Sequence, residues 1–181
     1  FEDGLTSWEV LNGDVSLTSD DSNSGSHAIQ VVAAGGNPWD TQFACDGIPL
    51  DFEGFYVVKL MAKTTNPGTV MRVSASQYDG NGADYFYGDD VTLTDEWAEY
   101  SWKFTVTNDL PVHRIVLDMG TSSDTFFIDD VELRAVPRVN ILANGDFEDG
   151  LTSWEVLNGD VSLTSDDSNS GSQAIQVVAA G

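Results

Sequence analysis

The residues predict an all-β chain, a β-sandwich or jelly roll of about eight to ten antiparallel strands. Three observations carry that expectation. Apolar and polar residues alternate with a period of two through most of the chain, the pattern of strands with one buried face. Turn-forming groups punctuate the alternation at Asn12-Gly13, Asn66-Pro67-Gly68, Asp79-Gly80-Asn81-Gly82 and Asn108-Asp109. No stretch of helical length shows a 3.6-residue period. Many short strands separated by regular turns belong to sandwiches and jelly rolls.

Taken in order, short strands are expected at 15–19, 27–33 and 41–47. A strand at 54–64 puts Tyr56, Val58, Leu60 and Ala62 on one face. In 68–78, Val70, Arg72 and Ser74 alternate with Met71, Val73 and Ala75. A short strand at 90–94 precedes 98–107, where Tyr100, Trp102, Phe104 and Val106 share a face. Ile115, Leu117 and Met119 do so in 113–120, and Phe127, Asp129, Val131 and Leu133 in 125–136. Trp8, Trp97 and Trp102 are expected in the core. His113 opens a strand beside Arg114 and is expected at the surface.

Residues 1–35 return as residues 147–181 with one change, His27 becoming Gln173. The offset of 146 residues is too long for a solenoid unit of about 20–50 residues. It matches the size of a whole domain, about 100–150 residues. Each period is therefore read as one module of a tandem array, joined by a short link around Arg134–Asn140 that Pro137 stiffens. On this reading residues 1–138 are a module lacking its opening strand. Residues 139–181 begin the next, and complete either their own module or a neighbouring chain's sandwich.

The chain carries 7 Lys+Arg against 30 Asp+Glu, a formal net charge of −23. That excludes binding to a phosphate backbone as the main function, since neutralising phosphates takes Lys and Arg. It argues equally against docking on anionic lipid. No apolar run is long enough to span a membrane, so no membrane insertion is expected. Bound divalent cations would relieve the self-repulsion of so many acids. Cys45 stands alone and is expected to be a buried thiol. Catalysis finds no motif: with so many carboxylates, a pair at any spacing proves nothing. His27 is a poor catalytic candidate because Gln173 replaces it in the other copy. The run from Asp79 to Asp90 looks like a calcium loop, but Ala83 and Asp84 break its ligand pattern, so a solvated turn is expected.

Six phrases in order resemble the carbohydrate-binding modules of family four and its relatives, families nine, sixteen and twenty-two. They are NGDFEDGLTSWEV, GSHAIQVV, GGNPWDTQF, YVVKLMAKT, TDEWAEYSWKFTV and FFIDDVELR. The resemblance implies a jelly roll with a face for a glycan chain and a structural calcium. It carries the metal role onto Glu2 or Glu148, onto Asp129, and onto the loop holding Asn23, Ser24 and His27, with the carbonyl of Asp146 in the second copy. Calcium takes six to eight oxygens in irregular geometry, which such a set supplies. The alternative for Asp129, an acid read here as facing inward amid Phe127 and Val131, is to accept backbone N–H bonds at a strand end. The resemblance also places Trp39, Gln42, Asp118 and the loop aromatics Tyr85, Phe86 and Tyr87 at the glycan face. A sugar offers C–H faces and a hydroxyl rim, for which flat aromatics and a few amides or carboxylates are suited. Trp39 is read equally as a core or edge residue. Neighbouring aromatics on a strand point to opposite faces, so at least one of Tyr85–Tyr87 is expected to be exposed.

Two functions follow. One is a non-catalytic, calcium-stabilised module of a secreted or cell-surface protein, building an extracellular fibre through contacts with copies of itself. The other is a glycan-binding accessory module, of β-glucan or xylan class, attached to a polysaccharide-degrading enzyme.

Overall fold

Most of the alternating segments become strands, and two that were not foreseen join them. The computed structural model describes residues 1–77, 84–137 and 142–178. The turn from Asp79 to Ala83, and residues 139–141 where a second module was expected to open, lie outside the described residues. Two compact units are present, Phe1–Pro137 and Arg138–Gly181.

In the first unit the strands are β1 (Trp8–Asn12), β2 (Asp14–Thr18), β3 (Ala28–Val32), β4 (Gln42–Ile48), β5 (Phe55–Thr64), β6 (Val70–Gln77), β7 (Asp84–Tyr87), β8 (Val91–Thr92), β9 (Ala98–Thr105), β10 (His113–Asp118) and β11 (Thr125–Ala135). Among the described residues these eleven stand against about eight to ten expected; β1, which the sequence did not single out, and β7, read as a loop region, are the additions. One sheet runs β1-β4-β10-β6-β7, with β8 also on β6, and the other β2-β3-β11-β5-β9. All the pairings are antiparallel. A 3-10 turn, Pro38–Asp40, leads into β4.

The core lies between the sheets. Tyr56, Val58, Leu60 and Ala62 of β5 face it, as their alternation requires, opposite Phe43, Met71, Val73, Ile115 and Leu117. Side chains as large as Phe43 and Phe126 are fully buried, each stabilising the fold by about 1.5–3 kcal/mol. Trp102 is buried. Trp8 and Trp97 are only half-buried: Trp8 stacks on Phe43 at 4.7 Å, and Trp97 donates its indole N–H to Asp21 at 3.1 Å. Cys45 is half-buried, and burial pushes its thiol pKa up.

Two expectations fail for stated reasons. His113 is fully buried. Arg114 takes the outward position, pairing with Asp46 and Glu9, so alternation turns His113 inward. There its Nδ1 meets the Tyr85 hydroxyl at 3.0 Å. In β11 the inward residues are Phe126 and Ile128, not Phe127. A bulge between Asp129 and Glu132, with Asp130 at φ 49°, then shifts the alternation by one. Val131 and Leu133 consequently pack on the core, while Phe127 lies outward against Lys63. A single extra residue exchanges faces because the strand period is two.

The second unit holds β12 (Asp160–Thr164) and β13 (Ala174–Val178), a hairpin paired Asp160↔Val178 through Thr164↔Ala174. Its register repeats that of β2 and β3, Asp14↔Val32 through Thr18↔Ala28. In the first unit β3 is covered by β11 and Ile29 and Val31 are fully buried. Their counterparts Ile175 and Val177 are 38% and 61% exposed.

Candidate functional site

The outer face of the β1-containing sheet carries a line of polar contacts across four adjacent strands. Register sets Asp118 of β10 between Gln42 of β4 and Arg72 of β6, and Ser74 of β6 opposite Tyr87 of β7. Gln42 donates its amide to Asp118 Oδ1 at 2.6 Å, and the Ser74 hydroxyl donates to Asp118 Oδ2 at 2.8 Å. The Arg72 guanidinium stands 3.7 Å from the same carboxylate and 5.2 Å from the centre of the Tyr87 ring. Asp118 is 4% exposed. Burial pushes its pKa above the usual carboxylate range, although Gln42, Ser74 and Arg72 pull against that shift. Small or slim side chains, Ala44 and Val116, form the floor beside it.

One exposed aromatic, Tyr87, ends this line, and a second, Trp39, stands in the chain three residues before Gln42. Tyr87 is 57% exposed, its pKa raised by a hydrogen bond with Asp84. Trp39, 54% exposed, rides on the 3-10 turn at the head of β4. That turn is held from three sides. Asp40 accepts the Asn37 N–H at 2.8 Å, Asn12 donates to the Trp39 carbonyl at 3.0 Å, and Gly120 donates to the Pro38 carbonyl at 3.0 Å. A side chain at position 120 would collide with Asn37, Asp40 and Thr41, so glycine is required where the two segments meet. Aromatics together with convergent polar groups suit a ring that is apolar on its faces and hydroxylated on its rim.

Of the six residues expected at such a face, Gln42, Tyr87 and Asp118 lie on it, and Trp39 stands on the turn that leads into β4. Tyr85 and Phe86 do not. A bulge between Ala75 and Ser76 of β6, where they meet β7, lets both pack inward: Tyr85 against His113 and Phe86 stacked on Phe104 at 5.1 Å. Burial holds the Tyr85 phenol up at about 12. Sequence reasoning left Arg72 and Ser74 unassigned. Their alternation with Met71 and Val73 marked a polar face, but nothing in the sequence says that β6 lies beside β10.

Of the residues expected to hold a metal, Glu2 and Asp129 each bond one loop, Asn23–His27. Glu2 Oε1 accepts the N–H groups of Ser26 and His27, both at 2.9 Å, and these amides lower its pKa. Asp129 Oδ2 accepts those of Asn23 and Ser24 at 3.0 and 3.1 Å, and its Oδ1 that of Asp130 at 2.8 Å. The Asn23 and Ser24 side chains donate to Asp130 at 2.7 and 2.5 Å. In the second unit Glu148 likewise accepts Ser172 and Gln173, both at 2.8 Å, while Asp146 is exposed. Two carboxylates on a loop with carbonyl oxygens are a donor set that suits a hard cation. Their loop-side oxygens are engaged by amides, and among the described residues no group of three or more His, Cys, Asp or Glu side chains is set to hold a metal.

The fold is a two-sheet antiparallel sandwich whose outer face carries a line of polar groups ended by an exposed aromatic. The chain belongs to the carbohydrate-binding domain family that joins families four and nine, whose model matches residues 1–124. No curated protein sequence matches it. Among solved structures it resembles a family-four carbohydrate-binding module, at 22% identity and TM-score 0.57, covering 71% of this chain and 86% of that one. It also resembles the first family-22 xylan-binding domain of Paenibacillus barcinonensis Xyn10C, at 14% identity and TM-score 0.60, covering 75% and 90%. A third is the N-terminal cellulose-binding domain of Cellulomonas fimi β-1,4-glucanase C, at 21% identity and TM-score 0.55, covering 75% and 93%. At these identities the structural likeness speaks for the fold.

Proposed function

We propose that this chain is a non-catalytic module that binds a neutral polysaccharide on the outer face of the β1-containing sheet. The observation that carries the reading is the contact line Tyr87–Arg72–Asp118–Gln42, with exposed Trp39 on the turn that leads into β4. Asp118 and Gln42 offer paired acceptors and donors to sugar hydroxyls, and Trp39 and Tyr87 offer rings to sugar C–H faces. The net charge of −23 disfavours acidic glycans. Neutral β-linked glycans such as xylan or β-glucan, of the kind named for the similar domains, are the class to test. Calorimetric titration with xylan, laminarin and mixed-linkage β-glucan should show binding that Trp39→Ala and Gln42→Ala each weaken at least about tenfold. Lack of binding to every one of these soluble glycans would sink the proposal.

The repeated segment favours a second, compatible reading of context: identical modules joined in an extracellular or cell-surface array through contacts between copies. It is supported by the hairpin and the Glu–loop bonds of the first unit recurring in the second. Calcium belongs to this proposal at Glu2 and Asp129, bound on carboxylate lone pairs that the amide bonds do not take. Electron microscopy of the secreted full-length protein should show filaments; monodisperse single particles refute the array.

A further inference from the structure

At one side of the sandwich both sheets end, one at β7 and the other at β9. Between these edges lies a cleft of about 470 Å³, lined among others by Tyr87, Asp89, Val91, Ser101, Trp102 and Lys103. That is within the range of about 300–1,000 Å³ of small-molecule sites.

Its floor is fixed. Trp102, almost fully buried, donates its indole N–H to the Asp89 carbonyl at 2.9 Å. Gly88 donates to the Val73 carbonyl at 2.8 Å, and any side chain at Gly88 would strike the Trp102 ring and that same carbonyl. The chain after β7 is therefore pressed onto the indole, and glycine is what permits it. The rim is polar and open: Asp89, Ser101 and Lys103 are all exposed. An apolar floor under a rim of carboxylate, hydroxyl and ammonium groups matches a sugar ring laid with its C–H face down.

Tyr87 joins this cleft to the face already described. It stands opposite Ser74 at the end of the polar line, with Arg72 over its ring, and it also walls the cleft. A glycan chain that runs along the line from Gln42 meets Tyr87 last and then the cleft. We infer that the cleft between β7 and β9 is an additional glycan subsite, which takes further sugar units of a chain already bound on the sheet face. This subsite rests on the glycan-binding reading.

The test measures affinity against ligand length. Calorimetry with linear xylo- or cello-oligosaccharides of three to eight units is run on the whole chain and on Ser101→Trp, which fills the cleft mouth from an exposed strand position. In the unaltered chain affinity should keep rising with length after the face is filled. Ser101→Trp should match it for the short ligands and fall roughly tenfold behind for the longest, the loss of one well-packed ring contact. Lys103→Trp, on the same exposed side of β9, repeats the test if Ser101→Trp does not fold as judged by its melting temperature. Identical affinities at every length overturn the subsite, and so does an equal loss for short and long ligands, which would place the effect on the face. If the unaltered chain binds no oligosaccharide of any length, the glycan-binding reading itself fails and the subsite with it.

Discussion

Removing the Asp129 carboxylate should destabilise the first unit more than any exposed acid can. Asp129 is 2% exposed and its two oxygens accept three backbone N–H groups, from Asn23, Ser24 and Asp130. A hydrogen bond to a charged group contributes about 1.5–3 kcal/mol, and a buried donor stripped of its partner loses about 1–3 kcal/mol. The Asn23–Ser24 loop can turn part of its amides to water in the variant, so we take about 3 kcal/mol for Asp129→Ala rather than the full sum. For a chain of this length that is a fall of roughly 6–12 °C in melting temperature. Asp129→Asn keeps the shape and one acceptor and should lose less. Differential scanning calorimetry of the three chains, with and without chelator, separates the amide role from a cation. If a cation sits on Glu2 and Asp129, chelator lowers the melting temperature of the unaltered chain and leaves Asp129→Ala unmoved. If the amides act alone, chelator moves neither. An Asp129→Ala chain that melts within roughly 2 °C of the unaltered one would refute the reasoning.

The duplicated strand offers a matched pair, because Ile29 and Ile175 share one sequence context and differ in burial. Ile29→Ala should cost about 2–5 kcal/mol and Ile175→Ala under about 1 kcal/mol, and equal melting shifts would contradict the burial assigned to them. On the proposed glycan face, Asp118 should set the acid limit of binding. Burial raises its pKa, while the Ser74 bond favours the charged form. Ser74→Ala therefore raises the pKa further, so protonation, and with it the loss of binding, begins at higher pH as the solution is acidified. Titrations from pH 7 downward check this, and an unshifted acid limb counts against Asp118 as a ligand contact.

Local pattern made the strand segments legible. Tyr56 to Ala62 could only be one buried face of a strand, and the resemblance named Gln42, Asp118 and Tyr87, which strand register brings onto one outer face. Two of the failures share one cause. At Asp129–Asp130 and at Ala75–Ser76, bulges reset which residues face the core. A bulge depends on the partner strand, which no local pattern records. Phe127, Tyr85 and Phe86 were misplaced for that reason.

By itself the sequence determined the all-β class, the family, the −23 charge and the duplicated segment, because periodicity, composition and identity are properties of residues in order. Only the tertiary structure decided that Arg72 and Ser74 join Gln42 and Asp118, that His113 lies buried, and that Ile175 is open where Ile29 is closed. Those outcomes depend on which strand lies beside which. The same five residues, Ala-Ile-Gln-Val-Val, make a core strand beside β11 and a largely exposed one in the second unit. Burial belongs to the neighbour as much as to the residue.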